Sequence, residues 1–155
     1  MNLRITSDGD ARDVHEIHAM LKEYNLTHRE ASQSVPVGVF LEDETGRKLA
    51  GLTGETFGNW LCIQYLFVSE QLRGRGIGSK LLESAETEAR KRGCKYAFVD
   101  TFSFQAPAFY KKHEYREVFT LEENPYTGKR HYYTKKLFLF QVLWRKNMKR
   151  KEDYT

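Results

Sequence analysis

The tightest constraint on this chain's fold is the stretch Gln71-Leu72-Arg73-Gly74-Arg75-Gly76-Ile77-Gly78-Ser79, which joins a β-rich run, Leu61 to Val68, to a strongly helical run, Ile77 to Arg92. Glycines at alternate positions leave the backbone unhindered, so successive N–H groups can converge on one point. The helix that starts there adds unpaired donors and the positive end of its dipole. Such an assembly binds phosphate or pyrophosphate. The plainer alternative is an ordinary strand-to-helix turn in which glycine only permits a tight bend. Two familiar phosphate loops fail on spacing. The nucleoside-triphosphate loop needs Lys directly after its last Gly, whereas Ser79 intervenes before Lys80. The dinucleotide fingerprint needs Gly where Ser79 stands and an acidic residue about 20 residues further on.

Hydrophobic periodicity sets the elements around that turn. Leu3 to Thr6 reads as a short strand, and Ser7-Asp8-Gly9-Asp10 as a turn capping a helix from about Ala11 to Asn25, where Val14, Ile17, His18 and Leu21 recur at helical spacing. Leu26 to Pro36 is polar and irregular. Val37 to Leu41 and Leu49 to Thr56 read as strands joined by the polar turn Glu42 to Arg47. After the next strand, Leu61 to Val68, residues Ile77, Leu81, Leu82, Ala85 and Ala89 form an apolar helical stripe with Glu and Lys on the other face, and Gly93 stops the helix. Tyr96 to Thr101 reads as a buried parallel strand, and Pro107 opens a short helix to about His113. Glu117 to Leu121 and His131 to Phe138 pair across the loop Asn124 to Gly128. The order β-α-β-β-β-α-β-α-β-β is an α/β arrangement with a mixed sheet.

The pattern Gln71-x-x-Gly74-x-Gly76, with Tyr65-Leu66-Phe67-Val68 ahead of it, resembles the acyl-CoA-binding motif of the GNAT superfamily of N-acetyltransferases. Phe104 through Tyr115 is similar to that family's segment ending Phe-Tyr-x-Lys-x-Gly-Tyr/Phe, and the run ending at Tyr132 to Leu137 to its closing strand pair. The three lie in the family's order. The resemblance implies one domain over residues 1–138, with a mostly antiparallel sheet of about seven strands flanked by helices. It also implies that the fourth and fifth strands splay to admit the pantetheine arm. The expected activity is transfer of an acetyl group from acetyl-CoA, as co-substrate, to a primary amine by direct attack in a ternary complex. A non-catalytic acyl-CoA sensor and a nucleic-acid module using the basic tail are the rival readings.

Amine acetylation requires a held cofactor, a polarised carbonyl, a deprotonated amine and a stabilised thiolate. The backbone N–H groups of Arg73, Gly74, Arg75, Gly76, Ile77, Gly78 and Ser79 are the expected pyrophosphate ligands. The resemblance assigns carbonyl polarisation to the main chain of Leu66, Phe67 and Val68, cofactor contacts to Gln105 and Ala108, and the thiolate partner to Tyr110. Many family members use a carboxylate near the fourth strand as base; here Gln64 and Tyr65 stand there, leaving Glu55 first and Asp100 second, or ordered water. Tyr24, Asn25 and His28 fall where the family's first helix and loop wall the acceptor site. One departure stands out: Glu114 replaces the family's Gly. A non-Gly residue there costs about 1 kcal/mol or alters the bend, and so bears on Tyr115.

The 155 residues suffice for one domain with a substantial core. There is neither an apolar signal region nor a run long enough to span a membrane, so a cytoplasmic location is the default expectation. Cys62 and Cys94 match no metal spacing, and Cys62 reads as an inert thiol in an apolar strand. His15 and His18 share a helix without a third ligand at a recognisable spacing, so no metal is expected. Arg145, Lys146, Lys149, Arg150 and Lys151 outweigh Glu152 and Asp153 and supply most of the net charge of +4. The basic balance thus belongs largely to the extension 139–155, so it argues only weakly for nucleic-acid binding by the domain; the extension reads as a disordered tail, the alternative being a basic amphipathic segment that touches a membrane, nucleic acid or a second subunit. The expected partner is a small-molecule or peptide amine, with a homodimer left open.

Overall fold

Residues 3–7, 11–28 and 33–137 are described by a computed structural model. Chain order is α1 (Ala11–Leu26), β1 (Ser34–Glu42), β2 (Lys48–Phe57), β3 (Trp60–Val68), α2 (Ile77–Lys91), β4 (Tyr96–Phe102), α3 (Pro107–Lys112), β5 (Arg116–Leu121) and β6 (Arg130–Lys136), with a short 3-10 turn, Glu70–Leu72, before α2. The expected Asp8 to Asp10 turn and the extension 139–155 lie outside the described residues. Two compact units result, Met1–Ser32 and Gln33–Thr155.

In the first unit, α1 leaves Val14, Ile17 and Leu21 exposed. Leu3 to Thr6 is not a strand. Leu3 and Ile5 are fully exposed, and Arg4 turns to α1, its Nη2 2.6 Å from Asp13 Oδ2. Two apolar side chains without a buried face give a strand nothing to gain. The sheet therefore has six strands among the described residues, not about seven.

In the second unit the sheet order is β1-β2-β3-β4-β6-β5. Every neighbouring pair is antiparallel except β3 with β4, which is parallel. Strand alternation sends Ala50, Leu52, Leu61, Ile63, Ala97, Val99 and Tyr133 into one core. Leu81, Leu82, Ala85 and Ala89 of α2 cover β1 to β3 from that side. The helix stops as its sequence demands: Gly93 takes φ 85°, its N–H donates to Arg90 O at 3.0 Å, and the Cys94 N–H donates to Ala89 O at 2.9 Å. Arg92 fastens this end, Nη1 donating to Val35 O, Pro36 O and Thr56 Oγ1 at 3.0–3.2 Å. No helix among the described residues is long and apolar enough to cross a membrane.

The parallel seam is short. Only Trp60 to Ile63 pair with Tyr96 to Val99. Beyond Ile63 and Val99, β3 continues to Val68 and β4 to Phe102 without pairing to each other. These are the fourth and fifth strands of the sequence reading, and they part as the resemblance implied.

Candidate active site

The glycine turn opens where β3 ends. Gly74 and Gly76 both take φ 73°, and a Cβ built on either would meet nothing within 4 Å. Positive φ without a steric neighbour is a conformational demand for glycine, not a packing one. Gly76 is the N-cap of α2, and no side chain among the described residues caps it. The first-turn N–H groups of Ile77, Gly78 and Ser79 therefore lack the usual side-chain acceptor. Arg73 folds back instead: its N–H donates to Glu70 O at 3.2 Å and its Nε to Val68 O at 3.2 Å. The hydroxyl of Ser69, next to Val68, is buried without a partner among the described residues.

The start of α2 is keyed to α3. A Cβ on Gly78 would come within 3.3 Å of the Phe109 ring, so glycine here permits close approach. Next to it, Ser79 Oγ lies 2.9 Å from His113 Nε2, and the His113 ring packs on Phe109 at 4.7 Å between centroids.

Tyr110 sits in this corner. Its ring is 5% exposed and meets Phe109, Tyr115 and Tyr133 at 5.2, 5.7 and 6.2 Å. Its hydroxyl makes no hydrogen bond to the described residues. Burial, then the charge of Asp100, pushes the phenol up to about 12. Asp100 is the first β4 residue beyond the paired seam, and Arg130 Nε donates to its Oδ2 at 2.6 Å. Arg130 in turn lies over the Phe102 and Tyr132 rings at 5.3 and 5.7 Å.

The other expected residues fall as follows. Leu66 and Val68 are half-buried and Phe67 exposed, all on the unpaired end of β3. Gln105 holds the β4–α3 turn, its Oε1 accepting from Phe102 N–H at 2.9 Å and Thr101 Oγ1 at 3.1 Å. Ala108 is an exposed residue of α3. Glu55, half-buried on β2, accepts from Ser34 Oγ and pairs with Cys62 in the part of β3 still joined to β4. Burial first, then Glu55, raises the Cys62 thiol, and burial raises Cys94; neither is a ready thiolate. Tyr24 and Asn25 lie in the last turn of α1 in the first unit and His28 in the turn after it, where His28 stacks on Tyr24 at 4.3 Å with Nδ1 2.9 Å from Tyr24 O. Among the described residues no group of three metal-binding side chains forms.

Of the two alternatives at Glu114, a strained residue or an altered bend, the chain takes the first. Glu114 takes φ 67° and closes α3 as glycine would, with the Tyr115 N–H donating to Tyr110 O at 3.0 Å. Tyr115 is thereby buried, its hydroxyl donating to Glu86 Oε1 at 3.1 Å.

Sequence reasoning missed a polar line at the end of β4. Ser103 Oγ lies 3.0 Å from His131 Nε2, and His131 Nδ1 lies 2.9 Å from Glu117 Oε2, which also accepts from Tyr133 OH at 3.0 Å. Hydrogen bonding, chiefly from Thr120, holds the Glu117 carboxyl below its usual range. The connectivity is that of nucleophile, base and orienting acid. Ser103 Oγ also reaches Lys129 O at 3.2 Å, so the line acts as a brace between β4 and the β5–β6 pair. His113 and His131 stood inside stretches singled out in the sequence, but no spacing rule links them to Ser79 or Glu117.

Residues 36–117 match the family model described as an acetyltransferase (GNAT) domain. An acetyltransferase of Agrobacterium fabrum is 36% identical over 121 residues, 78% of this chain and 88% of that protein. The blasticidin-S acetyltransferase of Streptomyces morookaense is 39% identical over 83 residues, 53% of this chain and 61% of that protein. The crystal structure of an acetyltransferase from Bacillus cereus superposes with a TM-score of 0.78 at 33% identity, over 88% of this chain and 99% of that one. With the glycine turn, the parted strands and the tyrosine helix all in the matched region, the chain belongs to the GNAT acetyltransferase family.

Proposed function

We propose that this protein transfers an acetyl group from acetyl-CoA to a primary amine, on a small molecule or a peptide, by direct attack within a ternary complex. Acyl transfer to an amine comes with the family; the donor and the route rest on the chain's own residues. The observation that carries the reading is Tyr110: a buried phenol whose hydroxyl makes no hydrogen bond among the described residues, on the helix that abuts the uncapped start of α2. The residues fit the cofactor. Open space over Gly74 and Gly76, with uncapped N–H groups from Ile77 to Ser79, suits a pyrophosphate. The unpaired main chain of Leu66 to Val68 suits the acyl carbonyl.

Acetyl-CoA supplies the activated acyl group as a thioester; the chain aligns it and manages protons. A phenol pushed up to about 12 is a poor outright acid for a thiol whose ordinary pKa is about 8.5. Tyr110 therefore donates a hydrogen bond to the departing sulfur rather than surrendering its proton. An alkylamine of pKa about 10.4 is cationic at neutral pH and must be deprotonated. Asp100, at the opening between the strands, is better sited for this than Glu55, which stands beside the paired seam. The raised Cys62 and Cys94 thiols favour direct attack over an acyl-enzyme.

Thermal melting with acetyl-CoA tests the cofactor site: at 100 times Kd the stabilisation is about 2.7 kcal/mol. No rise at saturation removes it. Release of free thiol over an amine panel then tests catalysis. Tyr110→Phe and Asp100→Asn should each lower kcat by about 100-fold or more; Asp100→Asn at full activity with Glu55→Gln inactive returns the base to Glu55.

A further inference from the structure

We infer that His113 is a positioning residue for the cofactor's pyrophosphate, acting through Ser79 and making acyl-CoA affinity depend on pH. The inference rests on the reading of the glycine turn as the pyrophosphate site. Ser79 belongs to the first turn of α2, among the N–H groups offered to the ligand, and its hydroxyl lies 2.9 Å from His113 Nε2. A serine hydroxyl has one proton and two lone pairs. When Nε2 is bare, that proton goes to the imidazole and Ser79 turns lone pairs toward an incoming anion. When Nε2 carries hydrogen, Ser79 accepts from the ring and its own proton is free for a phosphate oxygen. The neutral ring supports binding in one of its two tautomers; the imidazolium supports it always and adds positive charge one hydrogen bond from the phosphate.

The surroundings leave this switch intact. From α2 the group facing the ring is the Ser79 hydroxyl, and from α3 it is the Phe109 ring. Among the described residues no carboxylate forms an ion pair with His113. Lys111, Lys112 and Glu114 flank it in sequence and are exposed. Phe109 also lies against Gly78, so the ring is held to the helix start from two adjacent positions.

The test is calorimetric titration of the full chain with 3′-dephospho-coenzyme A, whose pyrophosphate stays ionised while the titrating 3′-phosphate of coenzyme A is absent. The wild type should bind about tenfold more tightly as pH falls from about 8 to about 5, with net proton uptake. His113→Gln, which keeps a donor within reach but cannot titrate, should bind with little pH dependence and no uptake. Ser79→Ala should lose the same pH dependence by removing the relay, and serves if the His113 variant fails to fold. Equal pH dependence in all three proteins overturns the role of His113 while leaving the cofactor site standing. Absence of binding at every pH overturns the cofactor site itself.

Discussion

Glu114 holds a left-handed backbone, φ 67°, at the end of α3, where a side chain costs about 1–2 kcal/mol. The bend turns the chain so that Tyr115 enters the core and reaches Glu86. Glu114→Gly should relieve the strain at the expense of a freer unfolded chain, raising stability by about 1 kcal/mol and Tm by about 2–4 °C; a lower Tm in thermal melting refutes it. Tyr110 carries a second prediction at this scale. Its phenol, pushed up to about 12 by burial and Asp100, binds its proton more tightly folded than unfolded. The resulting stability is present below about pH 10 and is lost as pH rises through about 12. Burial also raises the Tyr115 and Tyr133 phenols, so ultraviolet titration at about pH 11 should find fewer phenolates in the folded wild type than on unfolding, and Tyr110→Phe should shrink that deficit by about one. The candidacy of Tyr110 was legible from its motif. Its environment was not, since Tyr133 and Asp100 reach it only through the fold.

Among the elements, α2 shows where pattern reading stops. Its apolar stripe was legible, and its glutamates were all assigned to the opposite face. Glu86 is 2% exposed, as its position four residues after Leu82 required; its charge concealed what its spacing stated. It survives there because Lys135 Nζ donates to both carboxylate oxygens at 2.9–3.0 Å, with Arg90 Nη2 at 3.1 Å and the Tyr115 hydroxyl beside it. Lys135 lies 49 residues away in sequence, so no local rule reveals the pair. Glu86→Ala strands the half-buried Lys135 ammonium and should cost about 3 kcal/mol in denaturant unfolding. Gly54 is a second case. It read as an ordinary strand residue, yet it marks a register shift between β2 and β3, and a Cβ there would lie 2.3 Å from Cys62 O. Gly54→Ala should destabilise by about 1–3 kcal/mol, and an unchanged unfolding midpoint would refute the close approach.

For the whole molecule, the element order from α1 onward and the mixed sheet were legible from periodicity, because buried strands and an amphipathic helix announce themselves locally, whereas the expected strand at Leu3 to Thr6 was not there to find. The parting of β3 and β4 was not; it came only from the resemblance, since nothing in Gln64 to Val68 or Asp100 to Phe102 tells whether a neighbour is bonded. If the cofactor enters that opening, hydrogen exchange should slow at Leu66 to Val68 and Ile77 to Ser79 on adding acetyl-CoA, and stay unchanged in the β1–β2 hairpin. Protection confined to other segments refutes the placement. The four-residue seam has a mechanical consequence of its own. On either side of it stands a three-stranded antiparallel ribbon, β1-β2-β3 and β4-β6-β5, with its own ladders. Spreading the strands beyond Ile63 and Val99 to seat a guest would therefore break no ladder bond within either ribbon.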